Sequence, residues 1–548
     1  GDAHGREGAF TRLVNRGFDY VRRIYDRALG FALGMRPAVL ISALAIALAA
    51  WPLYEGSRSE LAPVEDQSHV SLFVEASPDA SLPSTEGHAR QLVDVIKTFP
   101  ETNYAWSMTS AWGGFGGMVA KDWRTRSRST QDLYGELFGA VSQVPGIRVF
   151  PRLDPPLPTS GQYDVELVVQ GDMPPEIMLG PVMDVVTAGR RSGKFLYVDT
   201  DLKLDLPEAR VSVDRERLAD LGLDLAGVGQ ELGTFLGGNY VNRFNHFDRA
   251  YKVIPQIGAA DRATVGPLLD LKIRTPSGRL TPVSAFASVS AGVAPRTLNR
   301  FQQKNSAKVF AGVAPGITKE EGLRTLESAA ATSLKPGMTT DYAGESRQIR
   351  KEGSSLTKTL GFAVVLIYLV LAAQFRSFRD PLVVLLGSAP LAISGALTFS
   401  YIGLTTVNIY SQVGLITLVG LIAKNGILVV EFANTLRERG MAKLEAVREA
   451  ASTRLRPILM TSAATIFGHL PLVFVDGPGA KARNSIGVVL VAGMVVGTLL
   501  TLFVVPVFYV LFAANRAPET DAEFDATHGV PGVSDAHGAA PALAGAAS

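Results

Sequence analysis

Lys424 stands inside "SQVGLITLVGLIAKNGILVVEFAN" (411–434), a run otherwise suited to hydrocarbon. An ammonium at the centre of a membrane helix costs about 2.5 to 3.5 kcal/mol on insertion scales. At a rise of about 1.5 Å per residue it lies roughly 20 Å along the axis from Ser411, too deep to reach water along its own stem. Such a cation is expected to face a bundle interior and a counter-charge. An ionisable residue kept at such cost inside a span reads as a functional candidate that needs an acid partner. The alternative is a fixed ion pair that only joins helices. Glu431 reads as interfacial, and the expected spans hold no Asp and no other central Glu, so the partner must come from elsewhere.

Other chemistries find little to stand on. "GRRSGKF" (189–195) has three residues between its glycines and Phe195 where a magnesium-binding hydroxyl would be, and reads as a surface helix end. "WGGFGG" (112–117) lacks the strand-to-helix step of a dinucleotide site and reads as a mobile loop. No G-x-S-x-G or H-E-x-x-H occurs. With zero cysteines and seven histidines lacking ligand spacing, no metal site and no cofactor is expected. A net charge of +2, with basic residues spread along the chain, argues against nucleic acid as a partner. An enzyme is not expected, and work on a solute would draw on an ion gradient or a partner.

The elements that must position Lys424 are apolar runs. Six spans are expected, at 37–54, 356–374, 381–402, 408–433, 457–475 and 486–514, each near the length a bilayer core requires. Basic residues cluster before the first span, after the second (Arg376, Arg379) and between the fourth and fifth (Arg437 to Arg456). If the spans alternate, these groups share one side, which is then cytoplasmic, and 55–355 lies outside. Gly493-x-x-x-Gly497 would permit close helix contact, with chance as the alternative. Residues 1–36 read as a cytoplasmic amphipathic linker whose stretch 9–36 lies along the membrane surface, and 515–548 as a disordered tail. The chain opens at Gly1 without a methionine, which reads as a processed or cut piece of something longer.

Between the first two spans, short β-rich runs alternate with amphipathic helices. "HVSLFVEA", a helix at 83–98, "NYAWSM", "GMVAKDW", a helix at 129–143 and "GIRVF" give β-α-β-β-α-β, the order of a ferredoxin-like split βαβ unit. A second unit starts with "YDVELVVQ", a helix at 174–190 and "KFLYVD". It resumes at "SAKVFAGV", a helix at 318–333 and "TTDYAG", with a small α+β insertion between its halves.

"GLIAKNGILVVEFAN", "RLRPILMTS", "GPGAKARNSIG", "VVPVFYVLF", "ELAPVEDQ" and "GGNYVNRF" together resemble the C-terminal half of a resistance-nodulation-division (RND) efflux pump of the hydrophobe and amphiphile exporting branch, over residues 9–514. The resemblance implies six spans of a twelve-span helical bundle plus an α+β periplasmic domain. Porter subdomains would occupy 55–160 and 161–205 with 297–345, a docking subdomain 206–296, and the last five spans 354–514. It implies a proton relay in which Lys424, Arg454 and Thr461 answer two aspartates of the N-terminal half, which this chain lacks. Anchoring by the positive-inside rule is the alternative for Arg454, and a back-bond to the helix for Thr461. Trp106, Met108, Trp112 and Phe115, in "NYAWSMTSAWGGFGGM", are implied to line the substrate pocket, with ordinary core as the alternative. Implied partners are the N-terminal half, two further copies in a homotrimer, a periplasmic adaptor, an outer-membrane channel and small amphiphilic substrates. The implied location is the bacterial inner membrane. A non-transporting scaffold or receptor, or a lipid or metal exporter of the same superfamily, stands as the rival.

Overall fold

A computed structural model of the chain describes residues 9–262 and 264–513. Helix α1 (Ala9–Gly34) meets α2 (Arg36–Gly56) at Met35, where Pro37 enters the first turn of α2 and needs no amide partner there. The face of α1 carrying Tyr25, Leu29 and Leu33 packs into the helical core, and the Tyr25 hydroxyl donates to the Leu502 carbonyl at 2.8 Å. Protein, not lipid, therefore covers that face of the helix expected to lie on the membrane surface.

The first β-α-β-β-α-β unit comprises β1 (His69–Ala76), α3 (Leu82–Lys97), β2 (Thr102–Ser110), β3 (Gly113–Ala120), α4 (Thr130–Val141) and β4 (Ile147–Leu153). Its sheet runs β2-β3-β1-β4, all antiparallel. Ser129 and Asp132 close a capping box that starts α4. Of the stretch 112–117, expected as a mobile loop, Trp112 sits in a tight turn and 113–117 are strand: Phe115 pairs with Met108 on one side and Phe73 on the other. Its glycines serve close backbone approach. A Cβ on Gly114 would lie 2.0 Å from the Met108 carbonyl oxygen, so no other residue fits that pairing.

The second unit begins with β5 (Val165–Gly171), α5 (Pro175–Arg191) and β6 (Phe195–Thr200). "GRRSGKF" is the end of α5, the Gly193 turn at φ +68° and the first residue of β6. The insertion follows: β7 (Leu204–Val213), α6 (Arg215–Asp220), α7 (Leu225–Gly237) and the hairpin β8 (Asn242–His246) to β9 (Arg249–Val253). Short helices α8 (Ala259–Arg262) and α9 (Gly266–Asp270), the pair β10 (Lys272–Arg274) and β11 (Leu280–Pro282), and β12 (Ala287–Pro295), antiparallel to β7, complete it. The unit resumes with β13 (Asn299–Phe301), β14 (Lys304–Val313), α10 (Lys319–Ser333) and β15 (Met338–Tyr342). Its strands run β6-β14-β5-β15, with β13 added on β14, so its second, third, first and fourth strands lie in the same order as in the first unit.

The remaining helices are α11 (Gly344–Phe375), α12 (Asp380–Leu386), α13 (Ala389–Tyr401), α14 (Ile409–Glu438), α15 (Lys443–Val473) and α16 (Ala480–Phe512). Five stretches are long and apolar enough to cross a membrane: α2, 358–375 of α11, α12 with α13, α14 and α16. The expected fifth span, 457–475, is part of α15, which is helical through Pro457 and ends at Val473. Its apolar part is short and contains His469 and Pro471, so by length and composition five stretches qualify among the described residues, while α15 still runs from the inner turns at Lys443 toward the outer end where α16 begins. The expected third span is broken at Gly387 and Ser388 into α12 and α13. Gly493 meets Leu418 of α14 and Gly497 meets Ala392 of α13, where a Cβ would come within 2.2 and 2.7 Å.

All the α/β structure sits at one end of the helices. Residues 58–61 pair with 407–409, and Glu65 accepts from the Lys481 and Ala482 amides that begin α16. Arg376, Arg379, Arg437, Arg439 and Lys443 lie at the turns of the opposite end.

Candidate functional site

Helix α14 starts sharply because the Asn408 side chain accepts from the Tyr410 and Ser411 amides while Ser411 answers the Asn408 amide. That register carries Lys424 and Asn425 to the contact with α15 and α16. The Lys424 ammonium donates to Thr465 Oγ1 at 3.2 Å, its one hydrogen-bond partner among the described residues. Buried Asn425 donates to Ser462 Oγ and Thr498 Oγ1, each at 3.2 Å, and Thr498 in turn donates to Ser462 at 3.2 Å. One asparagine thereby joins three helices through neutral groups.

The three expected relay residues do not meet in one contact. Thr461 donates to the Ile458 carbonyl of its own helix at 3.2 Å, while Thr465, one turn on, receives the lysine. Arg454 lies about 16 Å from Thr465 along α15 at 1.5 Å per residue, its guanidinium 4.6 Å above the Phe432 ring. Its Nε is buried with no hydrogen-bond partner among the described residues. Arg454, Thr461, Thr465 and His469 recur at helical spacing and share one face of α15. Thr465 and Asn425 were missed because an isolated threonine or asparagine in an apolar run reads as a weak helix former; the available signal was the i, i+4 repeat of Thr461 and Thr465. Asp380, just outside the expected third span, is buried and accepts from Asn434 at 3.2 Å, far down α14 from Lys424.

The four aromatic and methionine candidates lie on the first unit. Trp106, Met108 and Phe115 share one face of the β2-β3 ladder, since Trp106 and Met108 are two apart and Met108 opposes Phe115. Trp106 meets Phe115 edge-on at 5.9 Å and stacks on His69, whose Nδ1 lies 2.6 Å from Asp154. All four are exposed, Trp112 by 79%, so none is core in this chain. Trp112 and Phe115 help line a cleft of about 780 Å³ between the two units; Trp106 and Met108 are not part of its wall. The floor is an aromatic cluster from both units, with Tyr163 stacked on Phe310 at 3.9 Å and Phe150 edge-on to both. Burial pushes the Tyr163 phenol up, and the nearby Glu75 and Glu166 add to it.

The cleft's rim is charged. Glu75 accepts from Lys203 at 2.5 Å and Arg296 at 2.6 Å, and Arg296 also forks onto Asp205, holding that carboxyl below its usual range. Burial raises Asp201, against the opposing pull of the Lys308 amide. The arrangement can take a flat apolar body with a polar or charged end. Among the described residues no cluster of His, Asp and Glu could hold a metal ion.

A family model described as the AcrB/AcrD/AcrF family matches residues 1–513. An uncharacterized transporter of Haemophilus influenzae is 35% identical over 91% of this chain and 49% of its own length. Multidrug export protein AcrF of Escherichia coli is 30% identical over 93% of this chain and 51% of its own length. The multidrug and solvent efflux pump membrane transporter MepB of Pseudomonas putida is 28% identical over 95% and 51%. The chain spans about half the length of these curated relatives.

Proposed function

The chain belongs to the AcrB/AcrD/AcrF family of RND efflux transporters, and on that premise we propose that it is the C-terminal half of a proton-driven exporter of hydrophobic and amphiphilic compounds. It is a multi-pass membrane protein, placed in this reading in the bacterial inner membrane with its α/β part on the periplasmic side. The observation that carries the reading is Lys424: an ammonium within the helical bundle whose contact here is a hydroxyl, leaving it able to answer carboxylates from an N-terminal half. Protonating those carboxylates would release the ammonium, and the change in pairing would shift α14 against α15.

In this reading the units at 55–160 and 161–205 with 297–345 are porter subdomains and 206–296 a docking subdomain. Three copies assemble with a periplasmic adaptor and an outer-membrane channel. Trp106, Met108, Trp112 and Phe115 form a surface for amphiphilic substrates, and the exposure of all four supports that over a core role. The test uses cells stripped of their own pumps and given this chain with the acid-bearing half, adaptor and channel. They should expel ethidium faster than cells lacking this chain, and a protonophore should abolish the difference. Equal retention with and without the chain would overturn the reading and favour a scaffold.

A further inference from the structure

The proton switch just proposed requires somewhere for the Lys424 ammonium to go when carboxylates are neutral, and the geometry points to Thr465. The Thr465 hydroxyl donates to the Thr461 carbonyl of its own helix at 2.8 Å. Its proton is therefore committed to the backbone, and its oxygen can only accept. That oxygen is 3.2 Å from the Lys424 ammonium. His469 reinforces the turn: its Nδ1 lies 2.7 Å from the Thr465 carbonyl, which cannot donate, so Nδ1 carries the proton. The result is a fixed, neutral acceptor facing a cation at the contact of α14 with α15.

A neutral acceptor satisfies an ammonium less strongly than a carboxylate does and more strongly than hydrocarbon. Thr465 is thus a positioning residue, an alternative berth that lowers the cost of releasing carboxylates when they take up protons. Thr461 presents a second hydroxyl oxygen one turn toward the inner end, its proton likewise given to its own helix. The other charged groups stand apart. Arg454 lies toward the inner end of α15 over Phe432, Glu431 lies two turns along α14, Asp380 of α12 is with Asn434, and Lys358 of α11 is exposed near the outer end. Helix α13 and the membrane part of α16 carry no charged residue, and their titratable groups are Tyr401 and Tyr509; α11 adds Tyr368. Among the described residues, hydroxyl chemistry alone decides where the ammonium rests.

The inference rests on the proposed function, and the experiment separates the two. Ethidium efflux is followed across external pH in cells carrying the assembled transporter with Lys424→Ala, Thr465→Val or Thr465→Ser. Without the berth the ammonium clings to carboxylates, which then need a lower pH to take up protons. Thr465→Val should therefore cut efflux about ten-fold at neutral pH, the worth of a hydrogen bond to a charged group, and recover on acidification. Thr465→Ser, which keeps the oxygen, should follow the parent profile. An unchanged profile for Thr465→Val, or an equal loss at every pH in both variants, would overturn the berth while loss in Lys424→Ala leaves the exporter reading intact. Full efflux with Lys424→Ala would overturn both. If Thr465→Val fails to accumulate in the membrane, Thr465→Ala applies the same test without a branched side chain.

Discussion

Lys319 of the α/β part and Lys424 of the helices are treated in opposite ways. Lys319, at the start of α10, is 5% exposed and donates to Glu345 at 2.6 Å with Asp164 at 3.6 Å. Burial alone would disfavour its charge, but the two carboxylates outweigh that and hold it above the usual lysine range. Lys424 has a threonine hydroxyl. A cation saturated by acids is a rivet, and removing either partner leaves a buried charge. A cation given only a neutral acceptor keeps its strongest interaction in reserve. Lys319 is the fixed ion pair that was the alternative for Lys424, and it occurs in the α/β part instead of the bundle.

The sharpest way to break the contrast is Lys424→Ala, which should reduce ethidium efflux to the level of cells without the chain while membrane abundance, read by immunoblot, stays the same. Lys319→Met should do the reverse. Stripping a cation from a buried pair costs about 3 to 5 kcal/mol, so the purified protein should unfold at a clearly lower temperature; an unshifted transition would show that the pair holds nothing together. A milder effect is expected of Trp112→Ala. This side chain supports no core, so thermal stability should not move, while efflux of a flat aromatic dye should fall a few-fold, given about 0.5 to 1.5 kcal/mol per aromatic contact. The smallest effect belongs to Glu60, which accepts from Thr406 at 2.6 Å. Burial raises its carboxyl above the ordinary 4.5, with the Thr406 hydroxyl and Lys319 opposing. Its contribution to stability is therefore complete below the unfolded value and lost as pH rises through the folded one. Glu60→Gln should gain stability relative to the parent as pH rises from about 4 to 7, and a constant difference between the two melting curves would show that Glu60 does not titrate there.

Sequence patterning carries far where periodicity carries it. Apolar runs mark the helices, and strand alternation marks both β-α-β-β-α-β units, because both signals are repeats of burial. It fails where one residue serves two rules. Glycines at 113, 114, 116 and 117 read as a loop by composition, yet they are strand residues that let three backbones lie close. Pro457 reads as the start of a span, yet α15 runs through it. Lys424 is conspicuous because charge in hydrocarbon is expensive, whereas Thr465 costs little anywhere and acquires meaning only from the lysine across the helix contact. Arg454 and Thr461 entered through family likeness, and that the Lys424 ammonium meets Thr465 is a matter of helix packing that no local pattern encodes.

Helix α11 runs 32 residues without interruption from the second unit into the membrane stretch, about 48 Å at 1.5 Å per residue. Its outer end is bolted to that unit by Glu345 accepting from Lys319, by Ser346 Oγ accepting from the Glu166 amide, and by Arg350 forked over Glu320 and Glu327. Among the described residues the first unit has no such shaft: it joins α2 through the irregular stretch 57–68. A lean of α11 by about 5° would swing one end about 4 Å relative to the other at that length. Glu75 held by Lys203 and Arg296, together with the shared aromatic floor, ties the two units across their gap, so such a lean would load those cross-links first, as a lever loads its hinge.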